Sequence, residues 1–443
     1  MLSSDELRAK DARHIIRAWG GLPTVVAEAV GPILRDPEGN EYLDCTSGLF
    51  AALIGHTNPE VVAAAQAQLE KVTQVSALQI NEPMVLLAEM LAQVTPEPIT
   101  KCFFTNGGGE TVEAGLKMAR QYTGKYETIV LKNAFHGLSF GALTATGATK
   151  YKEGFGPLLH GFLRAPHAYC YRCPFDLEHP ACDLRCAQEI ENIVTDTAIS
   201  TVAEGSIGAV MVEPVQGRGG IIPPHGWLTR VREICDRHGL LLILDEIQTG
   251  YGRTGRFLGC EHEGVVPDIL ILSKNVGGGL PAGVAMTNDE IAESFSTGTT
   301  STHSGNPVAC AAGLATLKVL FEGRLWENAV SMGERFVDGF LNMSTQRYVG
   351  EARMKGLMGG LELVLDRATK EPMPKKAIGA IVDKLHQRGI VITASGPCGN
   401  VFRVQPPLVI TADQVDRIVE AFDASIAEVV ASPTASLTAG LTA

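Results

Sequence analysis

Long hydrophobic runs are missing from this chain, and so is any surplus of positive charge. No stretch reaches the roughly 20 apolar residues that a membrane-spanning helix needs. The opening MLSSDELRAKDARHIIRAWGG is charged where a secretory leader would carry an apolar core. Lysine and arginine number 37 against 49 aspartates and glutamates, a formal net charge of −12. That balance argues against nucleic acid or an anionic membrane as partner and reads as a solubilising acidic surface. Aromatic residues are scarce at 6% and charged residues make up 19%, yet 45% of the chain is hydrophobic and 48 residues are glycine. A disordered chain lacks that composition; a globular α/β enzyme has it. The ten cysteines, with no export signal beside them, are expected as reduced thiols in a cytoplasmic protein.

At 443 residues the chain exceeds one ordinary domain. The runs KCFFTN, ETIVLKN, IGAVMVEP, LLLILDE and PDILILSK are too short for helices and continuously apolar, as strands buried on both faces are. Helical patterns separate them, among them GWLTRVREICDRHG and ETVEAGLKMARQYTG, where Val112, Leu116 and Ala119 share a face. The alternation predicts a large α/β domain, its mostly parallel sheet flanked by helices. After residue 325 the pattern changes to a smaller α/β domain with a largely antiparallel sheet. Near the start, GPILRDPEGNEYLDCTSG reads as a hairpin turning at PEGN and is expected to pack with the C-terminal part. The expected division is therefore 1–60 for that N-terminal segment, 61–325 for the large domain and 326–432 for the small one. Residues 433–443 read as a frayed tail.

In such sheets ligands gather at the carboxyl ends of the strands. Just past four of these runs stand Thr105-Asn106-Gly107-Gly108-Gly109, Glu213-Pro214, Asp245-Glu246 and Ser273-Lys274. The TNGGGETVEAG stretch opens a helix with bare N–H groups, which suits a phosphate or a simple tight turn. It lacks the G-x-G-x-x-G spacing of a nicotinamide site. Asp245, after a fully apolar strand, needs a cationic or N–H partner, as a structural cap or as a site group. Lys274 is either a surface lysine at a strand end or a nucleophile. Together the three features suit pyridoxal 5′-phosphate, whose aldehyde takes a lysine, whose ring nitrogen takes a carboxylate and whose phosphate takes N–H donors.

The ordered blocks LILDEIQTGYGRTG, PDILILSKNVGGGLP, STHSGNPVACAAGLATL, AFHG and NVFRVQPPL resemble the signature of the class III (ω-type) aminotransferases, of fold type I among pyridoxal phosphate enzymes. The likeness runs from about residue 15 to residue 430 and is close in its motifs to 2,2-dialkylglycine decarboxylase. It implies Lys274 as the aldimine lysine and proton carrier, and Asp245 as the partner of the ring nitrogen. Gln248 would bond the ring hydroxyl, Ile247 would pack behind the ring, and Phe135 would stack on its other face. Gly108 and Gly109 would hold the phosphate, with His136 and Glu213 completing the cofactor-binding set. Thr302 would reach the phosphate of a neighbouring subunit, which implies a homodimer or a dimer of dimers. Arg403 would grip a substrate carboxylate, with Leu49, Phe50 and Trp19 lining the pocket. The implied activity is transfer of an amino group from a small amine or amino acid to a keto acid, with pyruvate favoured.

Three departures bear on that reading. Where many relatives place a hydroxyl before the phosphate, this chain has Gly107-Gly108-Gly109, so backbone must suffice. Where dialkylglycine decarboxylase has a glutamine, TSGLFAALIGH has Leu49, which counts against a decarboxylating transaminase. Where relatives carry VQGEGG, this chain reads VQGRGG. Arg218 would then face an anionic substrate or pair with a loop carboxylate; an anion would also suit a lyase that eliminates phosphate or phosphonate. A fold that only binds is the remaining class, which Lys274, Asp245 and Gln248 together oppose. Finally, Cys170, Cys173, Cys182 and Cys186 have a spacing that could hold structural zinc. The catalytic set needs no metal, and four loop thiols can equally stay reduced.

Overall fold

The computed structural model describes residues 2–18, 21–196, 202–296 and 299–432. In chain order the strands are β1 Glu28–Val30, β2 Ile33–Arg35, β3 Glu41–Asp44, β4 Lys101–Thr105, β5 Glu127–Leu131, β6 Phe162–Ala165, β7 Ile207–Val212 and β8 Leu241–Asp245. They continue as β9 Ile269–Leu272, β10 Gly283–Thr287, β11 Val349–Lys355, β12 Met358–Asp366, β13 Glu371–Pro372, β14 Ile390–Val391, β15 Thr393–Ser395 and β16 Val401–Val404. The chain divides into two compact units, Pro59–Arg324 and, as far as they are described, Met1–Asn58 with Leu325–Ala443.

The unit Pro59–Arg324 is built on a seven-stranded sheet in the order β4-β10-β9-β8-β7-β5-β6. Every residue of β7, β8 and β9 is buried, which is why these runs are apolar without alternation. The helix Gly108–Thr123 lays Val112, Leu116 and Ala119 into a core that also holds Val130, Met211, Ile243 and Ile271. Burying each of the larger side chains in this set contributes about 1.5–3 kcal/mol. The helix stops at Gly124, whose φ of +66° lets its N–H reach Arg120 O. Two strands were not legible in the pattern. β6 is a half-exposed edge, and β10, GVAMT, runs antiparallel to both β4 and β9. The sheet is thus mostly parallel with one reversed strand. The carboxyl ends of β4, β5, β7, β8 and β9 share one rim, where β10 begins with Gly283 opposite Thr105.

In the other unit β1, β2 and β3 form an antiparallel ribbon, and β14 adds in parallel to β3 with Ile390 opposite Leu43. The hairpin turn is held by Asp36, whose carboxylate accepts from Glu38 N at 3.1 Å and Asn40 N at 2.8 Å. A second sheet, β11-β12-β16-β15, is antiparallel throughout and carries β13 on β12. Phe402 of β16 meets Phe422 of the helix Ala412–Ala431 edge to face at 5.1 Å, closing that core. Among the described residues no helix is long and apolar enough to cross a membrane.

Candidate active site

Asp245 ends β8 and is buried. Its two oxygens have different partners: Oδ1 accepts from Ile247 N at 3.1 Å, and Oδ2 lies 2.7 Å from His136 Nδ1. A carboxylate only accepts, so the imidazole proton sits on Nδ1. His136 Nε2 is buried without a hydrogen-bond partner. Sequence reasoning put His136 among the cofactor contacts; the structure places it against the carboxylate, 109 residues away in the chain, where it orients Asp245.

The glycine loop fits a phosphate by what it leaves out. Gly107 caps the helix Gly108–Thr123 with no side-chain hydrogen bond, so the first N–H groups are not covered by a cap. A Cβ on Gly108 would come within 3.1 Å of Ile247 Cδ1, and one on Gly109 within 3.3 Å of Ser139 Oγ. Gly137, at φ +129°, crosses so close that its Cβ would lie 2.9 Å from Gly109 Cα. Ser139 Oγ itself donates to Glu113 Oε1 at 2.8 Å. That same oxygen accepts from Gly141 N, at the start of the helix Phe140–Ala145.

Lys274 stands three residues beyond Ile271, the β9 partner of Asp245. It is half-buried and has φ +52°, a left-handed conformation that costs a non-glycine residue about 1–3 kcal/mol. Such strain persists only where neighbours over-determine it. Here Ser273 is buried and donates from Oγ to Ala282 O at 2.8 Å, and the chain turns at once through the 3₁₀ segment Lys274–Gly277.

Glu213, at the end of β7, was also nominated for the cofactor. Both its oxygens are engaged by backbone: Oε1 accepts from Phe135 N at 3.0 Å and Oε2 from Gly217 N at 2.7 Å. Burial pushes its carboxyl up to about 7, with the nearby Asp245 adding to the rise while His136 and the two N–H donors oppose it. Glu213 therefore ties the loop carrying Phe135 to the loop carrying Gly217. A Cβ on Gly217 would collide with the Gln248 amide, so the two are in direct contact. Phe135 meets Tyr151 edge to face at 5.2 Å, an aromatic that sequence reasoning missed. Arg218 is held by Asn133: its Nη1 donates to Asn133 Oδ1, and Asn133 Nδ2 donates to Arg218 O at 2.9 Å. It is therefore anchored to an amide on the rim.

Thr302 is exposed, with its carbonyl accepting from Gln74 Nε2 at 2.8 Å. In the unit that holds the chain's two ends, Arg403 of β16 has its guanidinium 4.7 Å from the Phe50 ring centroid, and its Nη2 donates to Thr393 Oγ1 at 2.9 Å. Leu49 beside Phe50 is 52% exposed. Trp19 lies outside the described residues. Cys170, Cys173, Cys182 and Cys186 do come together, lining one shallow pocket with His167 and His179. Among the described residues, however, no group of three or more His, Cys, Asp or Glu is arranged to hold a metal ion.

A buried aspartate, an uncapped glycine-rich helix start and a strained lysine at one sheet rim define a fold type I pyridoxal phosphate enzyme. The sequence profile of the family described as aminotransferase class-III matches residues 16–426, so the chain belongs to the class III aminotransferases. It is 36% identical to an acetylornithine aminotransferase of Methanosarcina acetivorans, over 95% of this chain and 96% of that one. It is 35% identical to an adenosylmethionine-8-amino-7-oxononanoate aminotransferase of Nitratidesulfovibrio vulgaris, over 93% and 80% respectively. Among solved structures, an (S)-enantioselective ω-transaminase from Thermomicrobium roseum superposes with a TM-score of 0.89 at 34% identity, over 97% of this chain and all of that one. An amine transaminase from an uncultivated Pseudomonas species, in its pyridoxal phosphate-bound form, gives 0.85 at 33% identity, over 94% and 98%. The enzyme is thus a pyridoxal phosphate-dependent aminotransferase that uses an amino donor and a keto acid.

Proposed function

We propose that the keto acid is a small carboxylate of the pyruvate type, held by Arg403. The observation that carries this is the dressing of that guanidinium, its face against Phe50 at 4.7 Å and one edge on Thr393 at 2.9 Å. An arginine so oriented is prepared to take a planar carboxylate. Pyridoxal phosphate, when bound, supplies an electron sink conjugated with the substrate α-carbon. Lys274 would attach the cofactor, and its amine would carry the proton at that carbon. Asp245, oriented by His136 and Ile247 N, keeps the ring nitrogen protonated. Gly108 and Gly109 would offer backbone N–H to the phosphate, and Phe135, Ile247 and Gln248 would hold the ring. Glu213 acts one step back, by fixing the backbone at Phe135 and Gly217. Leu49 and Phe50 wall the substrate pocket, and Arg218, clamped by Asn133, favours an anionic donor.

The working enzyme is a cytoplasmic homodimer in which Thr302 serves the partner's phosphate. Its exposed position supports this, as do the bare side chains of Leu78 and Ile80, 88% and 89% exposed. A donor panel run against pyruvate and 2-oxoglutarate tests the substrate reading. Pyruvate should be consumed with the wild type, and Arg403→Ala should raise its KM at least about tenfold. An unchanged KM would refute the role of Arg403.

A further inference from the structure

The backbone at residues 47–50 is the most unusual in the unit that holds the chain's two ends. Ser47, Gly48, Leu49 and Phe50 have φ of +47°, +56°, +64° and +71°, four left-handed residues in succession of which one is glycine. L-residues enter this region singly and seldom in runs. Something must hold the turn, and Asp44 is placed to do so. Its buried carboxylate accepts from Thr46 N and Thr46 Oγ1, both at 2.7 Å, through Oδ1. Through Oδ2 it accepts from Gly48 N at 2.8 Å and from His56 Nε2 at 2.9 Å. Burial would raise this carboxyl, but the hydrogen bonds from His56, Thr46 and Gly48 outweigh it and hold the group below its ordinary value, as the anion. His56 is itself fastened, its N–H donating to Gly31 O at 2.8 Å. On the other side Ser47 Oγ donates to Gln405 O at 2.6 Å, two residues beyond Arg403.

The turn therefore sits between a buried anion and the strand that carries Arg403. What it delivers is Phe50 against the guanidinium and Leu49 towards solvent. An extended or right-handed backbone at 47–50 would swing both side chains away, since each changed φ redirects the following Cα–Cβ bonds. Strain maintained by several converging hydrogen bonds points to a requirement that packing alone does not explain. We propose that Asp44, tied to His56, is the positioning residue for recognition of the substrate carboxylate: it holds residues 47–50 in the left-handed turn that seats Phe50 on Arg403. This rests on the reading that Arg403 binds the keto-acid carboxylate.

The test is single-turnover conversion by pyruvate of the enzyme loaded with pyridoxamine 5′-phosphate, for the wild type, Asp44→Asn, Gly48→Ala and Arg403→Ala. Asp44→Asn turns an acceptor into a donor facing Gly48 N or His56. Gly48→Ala leaves Asp44 intact but puts a Cβ at φ +56° and 3.2 Å from His56 Cε1. Both should raise the apparent Kd of pyruvate, by about tenfold or more for Asp44→Asn and about threefold for Gly48→Ala. The maximal rate should stay within about threefold and cofactor affinity should not move, a split that general loss of structure would not produce. The proposal is overturned if folded Asp44→Asn or Gly48→Ala leaves the pyruvate Kd unchanged, or lowers rate and cofactor affinity together, while Arg403→Ala raises the Kd. If Asp44→Asn fails to fold, Gly48→Ala decides. If Arg403→Ala leaves the Kd unchanged, the assignment of Arg403 falls first and takes this inference with it.

Discussion

Two residues of the rim differ in how their chemistry is set. On the proposed reading Lys274 acts directly, and its removal is the plainest test of the site. Borohydride should trap a pyridoxyl group on the wild type at Lys274 and none on Lys274→Ala, whose turnover should fall by at least about a thousandfold. Glu213 acts through backbone and through its charge. The folded state keeps it protonated up to about pH 7, against an ordinary 4.5, so its stabilising contribution is full below pH 4.5 and is lost as pH rises through 7. A shift of that size corresponds to about 3 kcal/mol. Glu213→Gln removes the titration while keeping the side-chain shape. Its denaturation midpoint relative to wild type should therefore rise between pH 5 and pH 8; a constant difference across that range would show that Glu213 does not titrate this way.

Among the elements, the loop through Gly137 and the glycine-rich helix start depend on each other. Gly137 has an ideal Cβ position 2.9 Å from Gly109 Cα and 3.0 Å from Ala142 Cβ, so no side chain fits without moving backbone. Gly137→Ala should destabilise the protein by about 1–3 kcal/mol. It should also weaken phosphate binding, so that cofactor titration gives a Kd raised about tenfold while free pyridoxal, lacking the phosphate, is little affected. Equal losses for both cofactor forms would place the damage elsewhere. At this scale the sequence was readable where a run was long and apolar: β7, β8 and β9 announced themselves. It was silent at β10, because GVAMT is a short run opened by glycine and owes its burial to β4 and β9 on either side. It was nearly silent at residues 47–50, where Gly48 is one glycine in a run of four left-handed residues.

For the whole molecule the proposed dimer makes the sharpest claim. Sedimentation at micromolar concentration should give twice the 47.1 kDa of one chain. Thr302→Ala should weaken retention of the cofactor without changing that mass. A monomer that keeps full activity would remove Thr302 from the site.

What the sequence determined by itself is the set of chemical groups and the period of the strands: a lysine and an aspartate at apolar strand ends, a glycine-rich helix start, and class-specific blocks in order. These are local facts, written within a few residues, and burial on both faces forces them into the pattern. What only the tertiary structure decided is who partners whom. His136 meets Asp245 across 109 residues, Glu213 joins Phe135 to Gly217, Asn133 clamps Arg218, and Asp44 with His56 bends the chain beneath Phe50. A hydrogen bond depends on ångström-scale distance and direction between groups far apart in the chain. That geometry exists only once the sheet has brought its strand ends to one rim and the turn has been forced into its left-handed shape.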